Sequence, residues 1–217
     1  MDYKSARRHM VESQVRPNDV TDLKLQTAME TTPRELFLPV ELRDQAYVER
    51  ELEFSPGRWL LRARDFAKLV AAAAPRADDL VLNAVCGSGY STAILAQLTE
   101  MVVSLERDEA LAAQAQENLT AIGVSNAAVI TGDPVEGAPG QGPYDLIFID
   151  GAIEQRPEKL LSQLKNDGRL ATMMRKNGVS RGVIYKRSDD AFACTEKFDA
   201  ATTVVLPGFG AEKTFVF

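Results

Sequence analysis

Four short segments of this 217-residue sequence carry residue types suited to holding an organic ligand. The first is the run Asn83, Ala84, Val85, Cys86, Gly87, Ser88, Gly89, Tyr90. Glycine takes backbone conformations that a side chain forbids, so Gly87 and Gly89 let a ligand approach the main chain. A helix that starts just after them offers unpaired N–H groups. The second is Glu106, which closes MVVSLE 19 residues after Gly87 and is followed by Arg107. A carboxylate at a strand tip accepts both hydroxyls of a ribose. The third is Gly132-Asp133, where Asp133 is placed to accept a hydrogen bond from an adenine amino group; the same pair is also a common turn. The fourth is Asp150-Gly151, closing YDLIFID, which either orients a substrate or caps the next turn.

These segments need a scaffold that brings strand ends together. An open α/β sheet does so, because its ligands bind beyond the carboxyl ends of the central strands. From residue 80 the sequence alternates short apolar runs with helical segments, the pattern of repeated βαβ units. Strands are expected at 80–85, 101–105, 126–131, 144–149 and 169–174. Helices are expected at 90–98, at 109–122 with Leu111, Ala115, Leu119 and Ile122 inward, and after Pro157. The runs 182–187 and 213–217 read as strands with no long helix between them, pairing antiparallel at the sheet edge. Phe209, Phe215 and Phe217 read as core residues of that last strand.

The first 75 residues read mainly as helix, over 4–15, over 22–31 with Thr21 or Asp22 as cap, and on one face from Phe66 to Ala73. Pro33, Pro56-Gly57 and Pro75 punctuate them. The expected organisation is therefore an N-terminal helical and substrate-side layer over 1–75 and a ligand-binding core over 76–217. The fold class is α/β: a Rossmann-like, doubly wound, mostly parallel seven-stranded sheet with helices on both faces.

Composition narrows the partners. A formal charge of -6 repels a phosphate backbone, so nucleic acid is not an expected partner. The basic clusters Arg58/Arg62/Arg64 and Arg175/Lys176/Arg181 read as solvated charges. No apolar run has the length of a membrane span, and the opening MDYKSARRHMVESQ lacks the core of a signal peptide, so a cytoplasmic protein without a membrane partner is expected. Cys86 and Cys194 are expected as free thiols. His9, the single histidine, sits on a helix, and no residue cluster has metal-ligand spacing.

The ligand is narrowed by position 92. A dinucleotide fingerprint wants a small third residue there, and this sequence has Thr92. That weakens a nicotinamide-linked oxidoreductase and favours an adenosine ligand without a pyrophosphate, such as S-adenosylmethionine.

Taken together the motifs resemble the protein-L-isoaspartate O-methyltransferase family over most of the chain. The similarity runs through LKLQTAMETTPRELFLP (23–39), AYVERELEFSPG (46–57), CGSGYSTAILAQL (86–98), VVSLERDEALAAQAQENL (102–119), GD (132–133), PYDLIFIDGA (143–152) and LLSQLKNDGRL (160–170). The resemblance implies methyl transfer from S-adenosylmethionine to a carboxylate of a protein or peptide, in the manner of protein repair. It implies cofactor contacts from Asn83, Val85, Cys86, Gly87, Ser88 and Gly89, then from Glu106, Arg107, Gly132 and Asp133. On the substrate side it points to Arg58, Trp59, Leu61, Arg62 and Asp150. Two departures stand out. The family's hydroxyl-bearing segment after Gly57 is replaced by GRWLLRARD, with Trp59 and Leu61 where hydroxyls are expected. Its acid and first glycine in the cofactor turn are replaced by Asn83 and Val85. A second reading therefore keeps the fold as a catalytically inactive binding or regulatory module.

Overall fold

The computed structural model describes residues 2–211. Its centre is a seven-stranded sheet in the order β5-β4-β3-β6-β7-β8-β9, with β3 Leu80–Asn83, β4 Met101–Glu106, β5 Ala127–Thr131, β6 Tyr144–Ile153, β7 Leu164–Lys176, β8 Val179–Ser188 and β9 Ala191–Ala200. The strands from β5 through β7 run parallel. The last two turn back antiparallel as a hairpin edge. Winding proceeds outward in both directions from β3, which leaves the β3, β4 and β6 carboxyl ends at the switch point, where such sheets bind ligands.

Sequence periodicity explains the helices. Asp22 caps α2 (Leu23–Thr31) by accepting the Lys24 and Leu25 N–H groups at 2.8 and 3.3 Å. Asp108 caps α5 (Glu109–Ala121) through the Leu111 N–H. The first helix, α1 (Tyr3–Met10), continues as one wider turn over Val11–Val15. Helix α3 (Ala63–Ala73) is strongly amphipathic and buries Phe66, Leu69, Val70 and Ala73. Helix α4 (Tyr90–Ala96) has no exposed face and is buried throughout.

One face of the sheet is covered by α3, α4 and the N-terminal helices in a single cluster that runs from Met10 and Phe37 to Val81 and Phe148. Aromatic rings stitch these layers together. Tyr90 lies 5.6 Å from Phe37 and 5.4 Å from Phe66, which in turn lies 6.0 Å from Phe148. The N-terminal layer thus shares its core with the sheet. The other face packs Leu82, Val103, Ile147 and Ile149 under Leu160, Leu161, Leu206 and Phe209.

Several expectations are corrected. The helix after Pro157 is one turn, α6 (Glu158–Leu161), so the second face is closed largely by loops. The first strand stops at Asn83, because Ala84 and Cys86 turn to bond Phe148 and Leu105 on opposite neighbours before the chain leaves the ladder. The seventh strand of the main sheet is β9, whereas the expected strand 213–217, with Phe215 and Phe217, lies outside the described residues. AFACTEKFDA shows no apolar alternation because this edge strand is exposed along nearly its whole length. Apart from the main sheet, β1 (Leu52–Ser55) and β2 (Arg58–Leu60) form a two-stranded hairpin of their own.

Candidate active site

The turn after β3 is built by glycine geometry. Gly87 has φ +53° and Gly89 φ +99°, and the Gly89 N–H closes the turn on the Cys86 carbonyl at 2.9 Å. A Cβ on Gly87 would stand 2.8 Å from the Phe54 ring of the β1–β2 hairpin. The hairpin therefore lies directly on the turn.

Glu106, at the end of β4, is fully buried. Its carboxylate accepts three backbone N–H groups, from Gly87 at 3.1 Å, Arg107 at 2.8 Å and Asp108 at 3.1 Å. It also takes a two-pronged fork from Arg58, Nε at 2.9 Å and Nη2 at 2.5 Å. Arg58 was expected either as a solvated charge or on the substrate side, and its side chain is only 11% exposed. A planar guanidinium matches a carboxylate in this geometry, which is why the pair tolerates burial.

Around the fork, Phe54, Arg58, Trp59, Leu60 and Leu206 face Val85, Cys86, Gly87, Ser88, Tyr90 and Asp150. The space they leave is about 10 Å³, room for a single water. Burial, followed by the nearby Glu106 charge, pushes the Cys86 thiol up, so it stays protonated and inert. Asp150 is intermediate in exposure as a residue, but its Oδ1 is buried without a partner, as is the Tyr90 hydroxyl. Burial raises the Asp150 carboxyl to about 6, against the pull of Ser91 and Arg34.

The remaining residues singled out in the sequence divide sharply. Asn83 is turned away from the cavity: its amide donates to Ser91 and Thr92 at 2.9 and 3.0 Å, and Thr92 shares a 2.7 Å hydrogen bond with Ser104. Thr92 thus cross-links α4 to the sheet. Arg107 and Asp133 form an ion pair at 2.6 Å on the outer rim, next to Gly132. Burial works against the Asp133 carboxylate, but the Val135 N–H and Arg107 outweigh it and hold it below its usual range. Leu61 is core, with its carbonyl taken by Arg34, and Arg62 stands at the start of α3; neither lines the cavity.

Sequence reasoning missed Arg34, Phe54 and Leu206. Arg34 is almost fully buried, donates to the Ala46 and Leu61 carbonyls at 2.8 and 2.5 Å, and lies over the Tyr90 ring. Its only sequence signal is a charged pair, Arg34-Glu35, at the head of the apolar LFLP run. Phe54 and Leu206 carry none, since their roles come from elements distant in the chain.

In kind, these residues suit an adenosine ligand: a buried strand-end carboxylate for ribose hydroxyls, beside glycines that permit close approach. In volume they do not. A ligand of this size needs on the order of 300 Å³ or more, and Arg58, Phe54 and Trp59 close in on the cavity.

Comparison with known proteins adds independent information. The model of the protein family described as Protein-L-isoaspartate(D-aspartate) O-methyltransferase matches residues 5–206. A Protein-L-isoaspartate O-methyltransferase of Methanoculleus marisnigri is 38% identical over 164 residues, covering 76% of this chain and 74% of its own. One from Methanoregula boonei is 34% identical over 202 residues, covering 93% of both. Among solved structures, a putative protein-L-isoaspartate O-methyltransferase from Plasmodium falciparum in complex with S-adenosyl-L-homocysteine superposes with TM-score 0.76, at 18% identity, covering 92% of this chain and 97% of that one.

Proposed function

The chain belongs to the protein-L-isoaspartate O-methyltransferase family, and from that premise we propose that it moves the methyl group of S-adenosylmethionine to a carboxylate of a protein or peptide. The observation that carries the reading is the placement of Glu106 beside the Gly87 to Gly89 turn at the switch point of the sheet. There, Glu106 would hold the ribose, the Gly87 to Gly89 backbone the amino-acid portion, and Asp133 the adenine side.

When bound, the sulfonium of the cofactor supplies an activated methyl and its own leaving group. The protein then has little acid–base work to do, because an acceptor carboxylate with a pKa near ~4 is already ionised at neutral pH. Alignment is the larger task, and in-line positioning contributes on the order of 7 kcal/mol or more. The apolar wall of Leu60, Val85 and Leu206 excludes water. The unpartnered Oδ1 of Asp150 is an acceptor for an N–H of the substrate backbone, which would fix the line of approach. The inactive alternative finds no support among the relatives.

We place this activity in the cytoplasm, on protein or peptide acceptors, without a nucleic-acid or membrane partner. Supporting this are the net charge of -6 and the observation that, among the described residues, no helix is long and apolar enough to cross a membrane.

The test is transfer of labelled methyl from S-adenosylmethionine to an isoaspartyl peptide, beside a normal aspartyl control. A base-labile ester on the isoaspartyl peptide is expected. A folded protein that esterifies no carboxylate of any peptide or protein would contradict the reading.

A further inference from the structure

Glu106 can serve a ribose only if its oxygens are free, and they are not. An ionised carboxylate offers about four lone-pair sites, and five N–H donors converge on this one: Gly87, Arg107 and Asp108 from the backbone, and two from Arg58. The three backbone donors belong to the turn and to the β4 end, so they stay in place as long as the sheet is folded. Arg58 is different. It sits on the β1–β2 hairpin, which makes no ladder with the seven-stranded sheet. Leu52 and Leu60 anchor the two ends of the hairpin in the hydrophobic core, and between them it is held by the Arg58 fork itself, Phe54 against Gly87, and the close approach of Gly57 to Pro207.

We propose that the Arg58 guanidinium is an intramolecular occupant of the ribose site and sets the affinity of the enzyme for its cofactor. Binding is an exchange in which the two hydroxyls of the ribose replace the two prongs of the fork on Glu106. Phe54 and Trp59 move out with Arg58, because all three lie in the part of the hairpin between the anchored Leu52 and Leu60 and line the same cavity. That coupled departure opens the volume which the closed site lacks. The observed affinity is then the intrinsic affinity multiplied by the fraction of molecules in which the hairpin is open. The inference rests on the adenosine-site reading above, and it makes Arg58 a determinant of cofactor affinity on the hairpin that the sequence had assigned to the acceptor.

The chain contains one tryptophan, Trp59, adjacent to Arg58, so its emission reports the hairpin directly. The experiment titrates S-adenosylhomocysteine into wild type, Arg58→Ala and Arg58→Gln, following heat and Trp59 emission together. Arg58→Gln keeps one donor for Glu106 and guards against a fold lost to an unpaired buried charge. Arg58→Ala is expected to bind at least tenfold more tightly than wild type, with Arg58→Gln between them. In wild type the emission should shift at the same midpoint as the heat. Equal or weaker binding by both folded variants, with wild type still binding, overturns the role of Arg58 and leaves the adenosine site standing. Binding by none of the three proteins at millimolar ligand overturns both.

Discussion

Arg169, on β7, reaches across to Asp79 just before β3 and grips both carboxylate oxygens, Nη1 to Oδ1 at 3.2 Å and Nη2 to Oδ2 at 2.5 Å. The same guanidinium accounts for three more acceptors, the carbonyls of Ala73, Ala74 and Asp145, at 2.6, 2.6 and 3.1 Å. It therefore caps the end of α3 and fixes the start of the strand that leads into the Gly87 to Gly89 turn. Because every prong is satisfied, the pair tolerates its burial; breaking it leaves a buried charge without a partner. Arg169→Ala should lower the unfolding free energy by about 3–5 kcal/mol, read as a fall in the urea midpoint at unchanged slope. A loss below about 1 kcal/mol would show that the fork is dispensable.

The residue just past α3, Ala74, has φ +46°, a left-handed conformation that suits glycine at a helix end. Its N–H closes on the Val70 and Ala71 carbonyls, and its side chain is exposed. Ala74→Gly keeps both bonds and removes the Cβ strain. Thermal or urea unfolding should show a gain of about 0.5–1 kcal/mol; a loss would mean that the extra freedom of the unfolded glycine outweighs the strain.

Gly87 meets two demands at once, a positive φ and the Phe54 ring at 2.8 Å from any added Cβ. Gly87→Ala should cost about 1–3 kcal/mol. Part of that cost belongs to the ring, so Phe54→Leu should show a favourable coupling with Gly87→Ala of about 0.5–1 kcal/mol in a double-mutant cycle. Strict additivity would place the whole effect in the backbone.

What the sequence disclosed follows a physical division. The turn, Glu106 and the parallel strands were legible because each is signalled within a few residues, by an apolar run ending in glycine or an acid. Arg58 was legible only as one of several arginines, either a solvated charge or a substrate-side candidate, because the partner that explains its burial lies 48 positions away. The partners of Asn83 were equally hidden: Ser91 and Thr92, eight and nine residues later in the first turn of α4, take up its amide. The edge strand β9 was silent because exposure on both faces leaves no alternation to read.

Asp150 gives a pH signature. Its folded carboxyl is raised from 3.8 to about 6 by burial, so the folded state holds a proton that the unfolded chain has already released over that interval. Where the unfolded state binds fewer protons, stability falls as pH rises. The contribution is thus fully favourable below about 4 and is lost as pH climbs through about 6. Asp150→Asn should remove this slope and stabilise the protein at pH 7 by on the order of 1 kcal/mol, a figure discounted for its partial exposure. Parallel unfolding curves for wild type and variant from pH 4 to pH 7 would contradict the assignment.

The adenosine site itself is tested most directly with the Arg58 fork absent, by calorimetric titration of S-adenosylhomocysteine into Arg58→Ala and Arg58→Ala/Glu106→Ala. Hydrogen bonds to a charged group contribute about 1.5–3 kcal/mol. Removing Glu106 should therefore weaken binding by at least tenfold while the fold, read by its thermal transition, is retained. Equal affinities in the two proteins would contradict the placement of the ribose on Glu106.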